Sequence, residues 1–138
     1  MGSAAHAQPP QQITVLVEFD SDNNRRCGIT HNVQKDSASQ ILRSHGYDID
    51  ARQEAPLTAY VNTIAVAQAH DCSLSIQFQL YYSVSLRAPW GTTYRSKVVL
   101  CERLYVANGP YSFIPSKVQE IVASLTELCV KEEEQKRR

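Results

Sequence analysis

The chain has 138 residues, within the usual range of about 100–200 residues for one domain, and long enough to bury a modest core without staples. Its 14 basic and 14 acidic residues cancel, which removes the electrostatic footprint of a general nucleic-acid binder or a polybasic membrane-surface protein. No apolar run approaches the roughly 20 residues that a spanning helix needs, so the chain is expected not to be membrane-spanning.

Met1-Gly2-Ser3 reads as a vector-derived start, and Ala5-His6-Ala7 before Gln8 has the small-x-small pattern of a signal-peptidase site. We therefore expect residues 1–12 to hold vector residues, an export-signal remnant and a flexible lead-in, and residues 13–138 to form a single domain. The expected location is the periplasm or the cell exterior, with the signal peptide removed.

Residues 13–19 (ITVLVEF) are β-branched and apolar and read as a strand, with Ile13, Val15, Val17 and Phe19 on one face and Leu16 on the other. Residues 20–26 read as a polar loop. Residues 36–45 read as a short helix capped by Asp36 or Ser37, with Gln40 placed as in a capping box. Gly46 suits the left-handed position that stops a helix. Tyr47, Ile49 and Ala51 alternate with polar residues and suggest a short strand.

The strongest pattern is SLSIQFQLYYSVSL, residues 73–86, where apolar and polar residues alternate strictly from Leu74 to Leu86. That is a long strand with one buried and one wet face. Residues 58–68 precede it as a strand, and residues 94–106 return after the turn Ala88-Pro89-Trp90-Gly91, whose Pro and Gly stand where a type I turn favours them. Residues 107–115 break regular structure, and Ser116 is placed to cap a final helix carrying the stripe Val118, Ile121, Val122, Leu125, Leu128 and Cys129. In its tail, Glu132–Lys136, Glu133–Arg137 and Glu134–Arg138 are i,i+4 pairs, the pattern of a solvated helix extension. The predicted class is α+β: a two-layer sandwich of a mainly antiparallel sheet, with a three-strand meander, and two helices on one face.

The four cysteines, Cys27, Cys72, Cys101 and Cys129, are disulfide candidates in an exported chain. Pairing around Trp90 sets Cys101 opposite Gln79, about 23 Å from Cys72 along the strand, too far for a bridge. If the last helix folds back along its strand, Cys101–Cys129 with Cys27–Cys72 is favoured. Side-chain alternation instead points Cys101 to the wet face and suggests Cys27–Cys101 with Cys72–Cys129, unless a bulge near Glu102 resets it.

Catalytic machinery is not expected: there is no glycine-rich phosphate loop or nucleophile motif, and no cofactor is expected. Cys27, His31, His70 and Cys72 are the ligand types of a zinc site and define an alternative reading, a small exported enzyme or metal-binding protein. Their spacing matches no common zinc module, so the primary expectation is no metal.

What remains is surface. Trp90 stands at a hairpin tip, and Tyr81, Arg103 and Tyr105 are expected with Gln77 and Gln79 on the wet sheet face. Tyr111 and Phe113 add aromatics before the last helix. Tyr, Trp and Arg are enriched in protein interfaces, so these six form the candidate protein-binding surface, for an unknown protein partner and not for nucleic acid. ITVLVEF as first strand, ASQILRSHGYDI as helix, glycine and strand, then a meander and closing helix, resemble small periplasmic α+β modules such as the TolB amino-terminal domain and LptE-like accessory proteins. That resemblance covers about residues 13–130 and implies binding or scaffolding in the bacterial envelope.

Overall fold

The computed structural model describes residues 11–19 and 21–137; most of the expected signal remnant and lead-in lies outside them. Strand β1 (Gln12–Phe19) leads to a short helix α1 (Ser21–Arg26), helix α2 (His31–Ser44) and strand β2 (Asp48–Ile49). Three long strands follow, β3 (Leu57–Ala67), β4 (Asp71–Arg87) and β5 (Thr93–Pro110), and helix α3 (Ile114–Lys136) closes the chain. The sheet order is β2-β1-β3-β4-β5. β1 runs parallel to both β2 and β3, while β3, β4 and β5 form the antiparallel meander expected from their alternation. The α+β class holds.

Alternation decides the layers. Val15, Val17, Ala59, Val61, Ile76, Phe78 and Leu80 turn inward and are buried, and they meet Ala38 and Leu42 of α2 and Val118, Ile121, Val122 and Leu125 of α3 in one core. All three helices lie on this face: α1 joins it through Asn24, whose side-chain amide donates to the Thr63 carbonyl at 3.1 Å. The opposite face is open over most of its area. At one end the 50–56 loop covers it, where Thr14 Oγ1 donates to the Ala55 carbonyl at 3.0 Å. Leu16 is half-buried there.

Several element boundaries differ from expectation. Residues 21–26 are helical rather than loop. Helix α2 begins at His31, capped by Thr30, whose Oγ1 accepts the Val33 N–H at 3.3 Å. Asp36 and Ser37 are therefore mid-helix, and the Ser37 hydroxyl donates back to the Val33 carbonyl at 2.8 Å. The earlier start brings buried Gln34 against β3, where its Oε1 accepts from the Thr63 hydroxyl at 2.5 Å. Helix α3 starts with Ile114 and Pro115, proline needing no intrahelical N–H partner at a first turn; Ser116 does not cap it but donates to the Phe113 carbonyl at 3.2 Å. Leu128 is exposed, and Thr126 takes a buried place on that helix. Gly46, at φ +88°, does end α2. Its N–H donates to the Arg43 carbonyl and that of Tyr47 to the Leu42 carbonyl, each at 3.0 Å, the paired bonds of a Schellman stop.

The meander contains one irregularity with wide consequences. From the tip to Tyr81↔Val99 the hairpin keeps one register, but the next pair is Leu80↔Cys101. Leu100 is the extra residue of a bulge, and beyond it every side chain of β5 changes face. Cys101 thereby turns to the helix layer and bonds Cys129, with Cα atoms 5.6 Å apart, while Cys27 bonds Cys72 at 6.1 Å. Glu102 goes to the open face, where Gln77 and Gln79 both donate to its carboxylate.

Candidate interaction surface

The same bulge separates the residues expected to share the wet face. Tyr81 stays there, but Arg103 and Tyr105 follow Cys101 to the helix side. Arg103 is paired with Glu132 of α3 at 2.9 Å, so it braces the helix against the sheet edge. Tyr105 is partly exposed beside it. Tyr111 packs against the core and donates its hydroxyl to the Gln68 carbonyl. Phe113 lies over Gly109, whose missing side chain leaves room for the ring, a Cβ there falling 3.0 Å from Cδ1. Trp90 is the most exposed of the six, at 73%, edge-on to Tyr94 with centroids 6.5 Å apart. The six expected residues thus do not form one surface.

Two other features do. The first is the projecting end of the β4–β5 hairpin. β3 begins at Leu57, opposite Tyr82, so among the described residues the rungs from Ser83↔Lys97 to Arg87↔Thr93 have no third strand. They form a two-stranded arm about 17 Å long at the usual rise. Its turn is as expected: the Gly91 N–H donates to the Ala88 carbonyl at 2.9 Å, with Pro89 at the second position. Gly91 at φ +94° then supplies the left-handed residue that returns the strand. Arg87, Arg95 and Lys97 fall on the open face of this arm, and Leu86 and Tyr94 on the other, with Val98 following at its base. Lys97 is seated over Tyr81 at 4.5 Å and Tyr60 at 5.4 Å. Burial, then a hydrogen bond with Glu18, push the Tyr60 phenol up to about 12, so it stays neutral beside the ammonium.

Between this arm and the 50–56 loop runs an open groove of about 1020 Å³, lined among others by Thr58, Tyr81, Ser85, Arg95 and Lys97. Asp50 shapes the loop wall: its carboxylate accepts the N–H groups of Arg52, Glu54 and Ala55 at 2.9–3.0 Å, and these bonds hold it below the usual carboxylate range.

The second feature is an apolar band across the far end of the open face. Ile64, Ser75 and Val106 form one rung, and Leu104 lies beside Gln77 on the next position along. Leu104 is 66% exposed and Val106 71%. Alternation alone could not find this band, because it placed Leu104 and Val106 inside; the bulge exchanges them with Tyr105.

The helix tail is docked rather than solvated. Glu134 Oε1 lies 2.7 Å from His45 Nδ1, and Glu127 Oε1 lies 3.0 Å from Nε2. Glu132 goes to Arg103, and Lys136 donates to the Leu100 carbonyl at 3.0 Å; of the expected pairs, Glu133–Arg137 forms at 3.8 Å, and Glu134–Arg138 lies outside the described residues. His45 thus clamps the end of α2 to α3.

The alternative zinc set is not assembled. Cys27 and Cys72 are bonded to each other, so neither offers a thiolate, and among the described residues no cluster of three or more His, Cys, Asp or Glu is placed to hold a metal. Among the described residues, no helix is long and apolar enough to cross a membrane.

No protein-family model matches this chain. No curated protein matches it. Among solved structures it is similar to a PelC dodecamer from Paraburkholderia phytofirmans, at 12% identity and a TM-score of 0.48, over 88% of this chain and 87% of that one.

Proposed function

We propose that this protein is a non-enzymatic binding or scaffolding domain of the bacterial envelope, exported to an oxidising compartment and acting on another protein. The observation that carries the reading is the unburied apolar surface at the two ends of the β3-β4-β5 meander. Ile64, Val66, Leu104 and Val106 on the open face, and Leu86, Tyr94 and Val98 on the arm, are all exposed. Patterned exposure of this kind marks interaction sites rather than ordinary surface. Both cysteine pairs are bridged, which supports an oxidising location, and the resemblance in element order to small periplasmic modules supports the envelope.

The test is site-specific photo-crosslinking in the source cell, with a benzoylphenylalanine at position 98, 104 or 106 and at the exposed Ser124 of α3 as control. The expected result is a discrete protein adduct from the sheet-edge positions and none from 124, reproduced with the two purified proteins. The absence of any reproducible protein adduct, or four free thiols in the native protein, would overturn the proposal.

A further inference from the structure

Resting on that reading, we infer that the arm captures an extended acidic segment of the partner, added as a further strand along the outer edge of β5 between Thr93 and Val99. Among the described residues, β5 has a strand neighbour on one side only. Farther along, its edge is occupied by side chains, Lys136 donating to the Leu100 carbonyl and Arg103 to that of Glu102. From Thr93 to Val99, among the described residues, β4 is the strand it pairs with, and the outer row of peptide groups is a template for another strand.

The charge pattern states which strand fits. Between Tyr82 and Cys101 the sequence has three cations, Arg87, Arg95 and Lys97, and no Asp or Glu. All three lie on one face. Lys97 is held in place by its two tyrosines, and Arg87 and Arg95 make no ion pair among the described residues. Arg95 and Lys97 are two residues apart, about 7 Å along the strand. An added strand has the same repeat, so one carboxylate meets Arg95 across the ladder and another, two residues on, lies opposite Lys97, whose ammonium leans back over Tyr81 and Tyr60. The intervening side chains then fall beside Tyr94 and Val98 on the apolar face. The segment that fits therefore alternates acidic and apolar residues. Three cations on so short an arm, in a chain of zero net charge, suit a short acidic peptide better than a long polyanion, whose binding draws on many phosphate contacts.

The test uses the full, oxidised chain and a decapeptide of alternating Glu and Val, followed by the fluorescence of Trp90, the single tryptophan, and by amide hydrogen exchange. Saturable binding is expected, with slowed exchange within 93–99. Arg87→Glu/Arg95→Glu, two exposed positions, should weaken it at least tenfold, and the variant should instead take up the matching Lys–Val peptide. That gain shows a folded variant. No saturable binding, equal binding by variant and wild type, or equal binding of a peptide with its Glu and Val in separate blocks would overturn the inference. So would tighter binding of phosphatidylglycerol vesicles or duplex DNA, or self-association abolished by the same substitutions, which would give the edge to a second copy. A crosslinked partner that still engages positions 104 and 106 while the acidic peptide fails would sink this inference alone and leave the protein-binding reading standing.

Discussion

Reduction of the two disulfides should bring this fold to the margin of stability. Cys27–Cys72 closes a segment with a separation of 45 residues and Cys101–Cys129 one of 28. Constraint of the unfolded chain by loops of these lengths is worth about 4 and about 3.5 kcal/mol at 25 °C. The two loops are consecutive in the chain rather than overlapping, so their effects should nearly add, to about 7.5 kcal/mol. A domain of this size commonly has only about 5–15 kcal/mol of stability in all. At the entropy of unfolding usual for this length, loss of one bridge should lower Tm by roughly 12 °C, and loss of both should leave little cooperative melting above room temperature. Calorimetry of oxidised and reduced wild type measures this without removing an atom, and Cys101→Ala/Cys129→Ala isolates the bridge that pins α3 to β5. Two results would refute the reasoning. One is a reduced protein melting within about 3 °C of the oxidised one. The other is peptide mapping that finds Cys27 joined to Cys101, because the bulge at Leu100 would then not exist in solution.

The remaining predictions concern the C-terminal end of α2. At His45, burial alone would lower the pKa, but hydrogen bonds and charge from Glu134 and Glu127 outweigh it and raise the imidazole above its ordinary value; Glu127, bonded to His45 and Lys131, is lowered. The raised His45 gives stability that is complete below its unfolded-state value and lost as pH rises through the folded one. The lowered Glu127 gives stability present above its unfolded-state value and lost as pH falls through the folded one. The clamp is thus strongest in mildly acidic solution. Its carboxylate partners are 31% and 36% exposed, so the expected contribution is about 1 kcal/mol. Urea unfolding of wild type and His45→Gln at pH 5.5 and 8.5 should show the wild type losing that much more on the alkaline side, and parallel curves would discard the clamp. Gly46→Ala meets no atom within 4 Å but places a side chain at φ +88°, so it should cost about 1 kcal/mol in the same assay. An unchanged or raised midpoint would mean that the helix does not end in the left-handed turn described.

Local chemistry determined a good part of this protein from sequence alone. Strict alternation in residues 73–86 announced the long central strand and its buried face, because side-chain direction in a strand depends on nothing farther than the next residue. Pro89 and Gly91 likewise announced the hairpin turn, and Gly46 the end of α2, through backbone angles that belong to those residues alone. The apolar stripe of α3, Leu128 apart, and the candidate cysteines were equally legible.

The sheet order was not, since the insertion of β1 between β2 and β3 depends on pairing between segments some 40 residues apart. Nor were the buried partners Gln34 and Thr63, which look like surface residues until the early turn of α2 brings them together. Two further decisions belonged to tertiary structure. The clamp at His45 exists because α3 folds back far enough to bring Glu127 and Glu134 to the end of another helix. The bulge at Leu100 exchanged the two faces of β5, turning Cys101, Arg103 and Tyr105 inward toward α3 and exposing Leu104 and Val106. A period of two carries no memory of an inserted residue, so sequence alternation could read each half of β5 correctly and still assign the wrong face. The register that joins the halves is the one that brings Cys101 to Cys129 and Arg103 to Glu132.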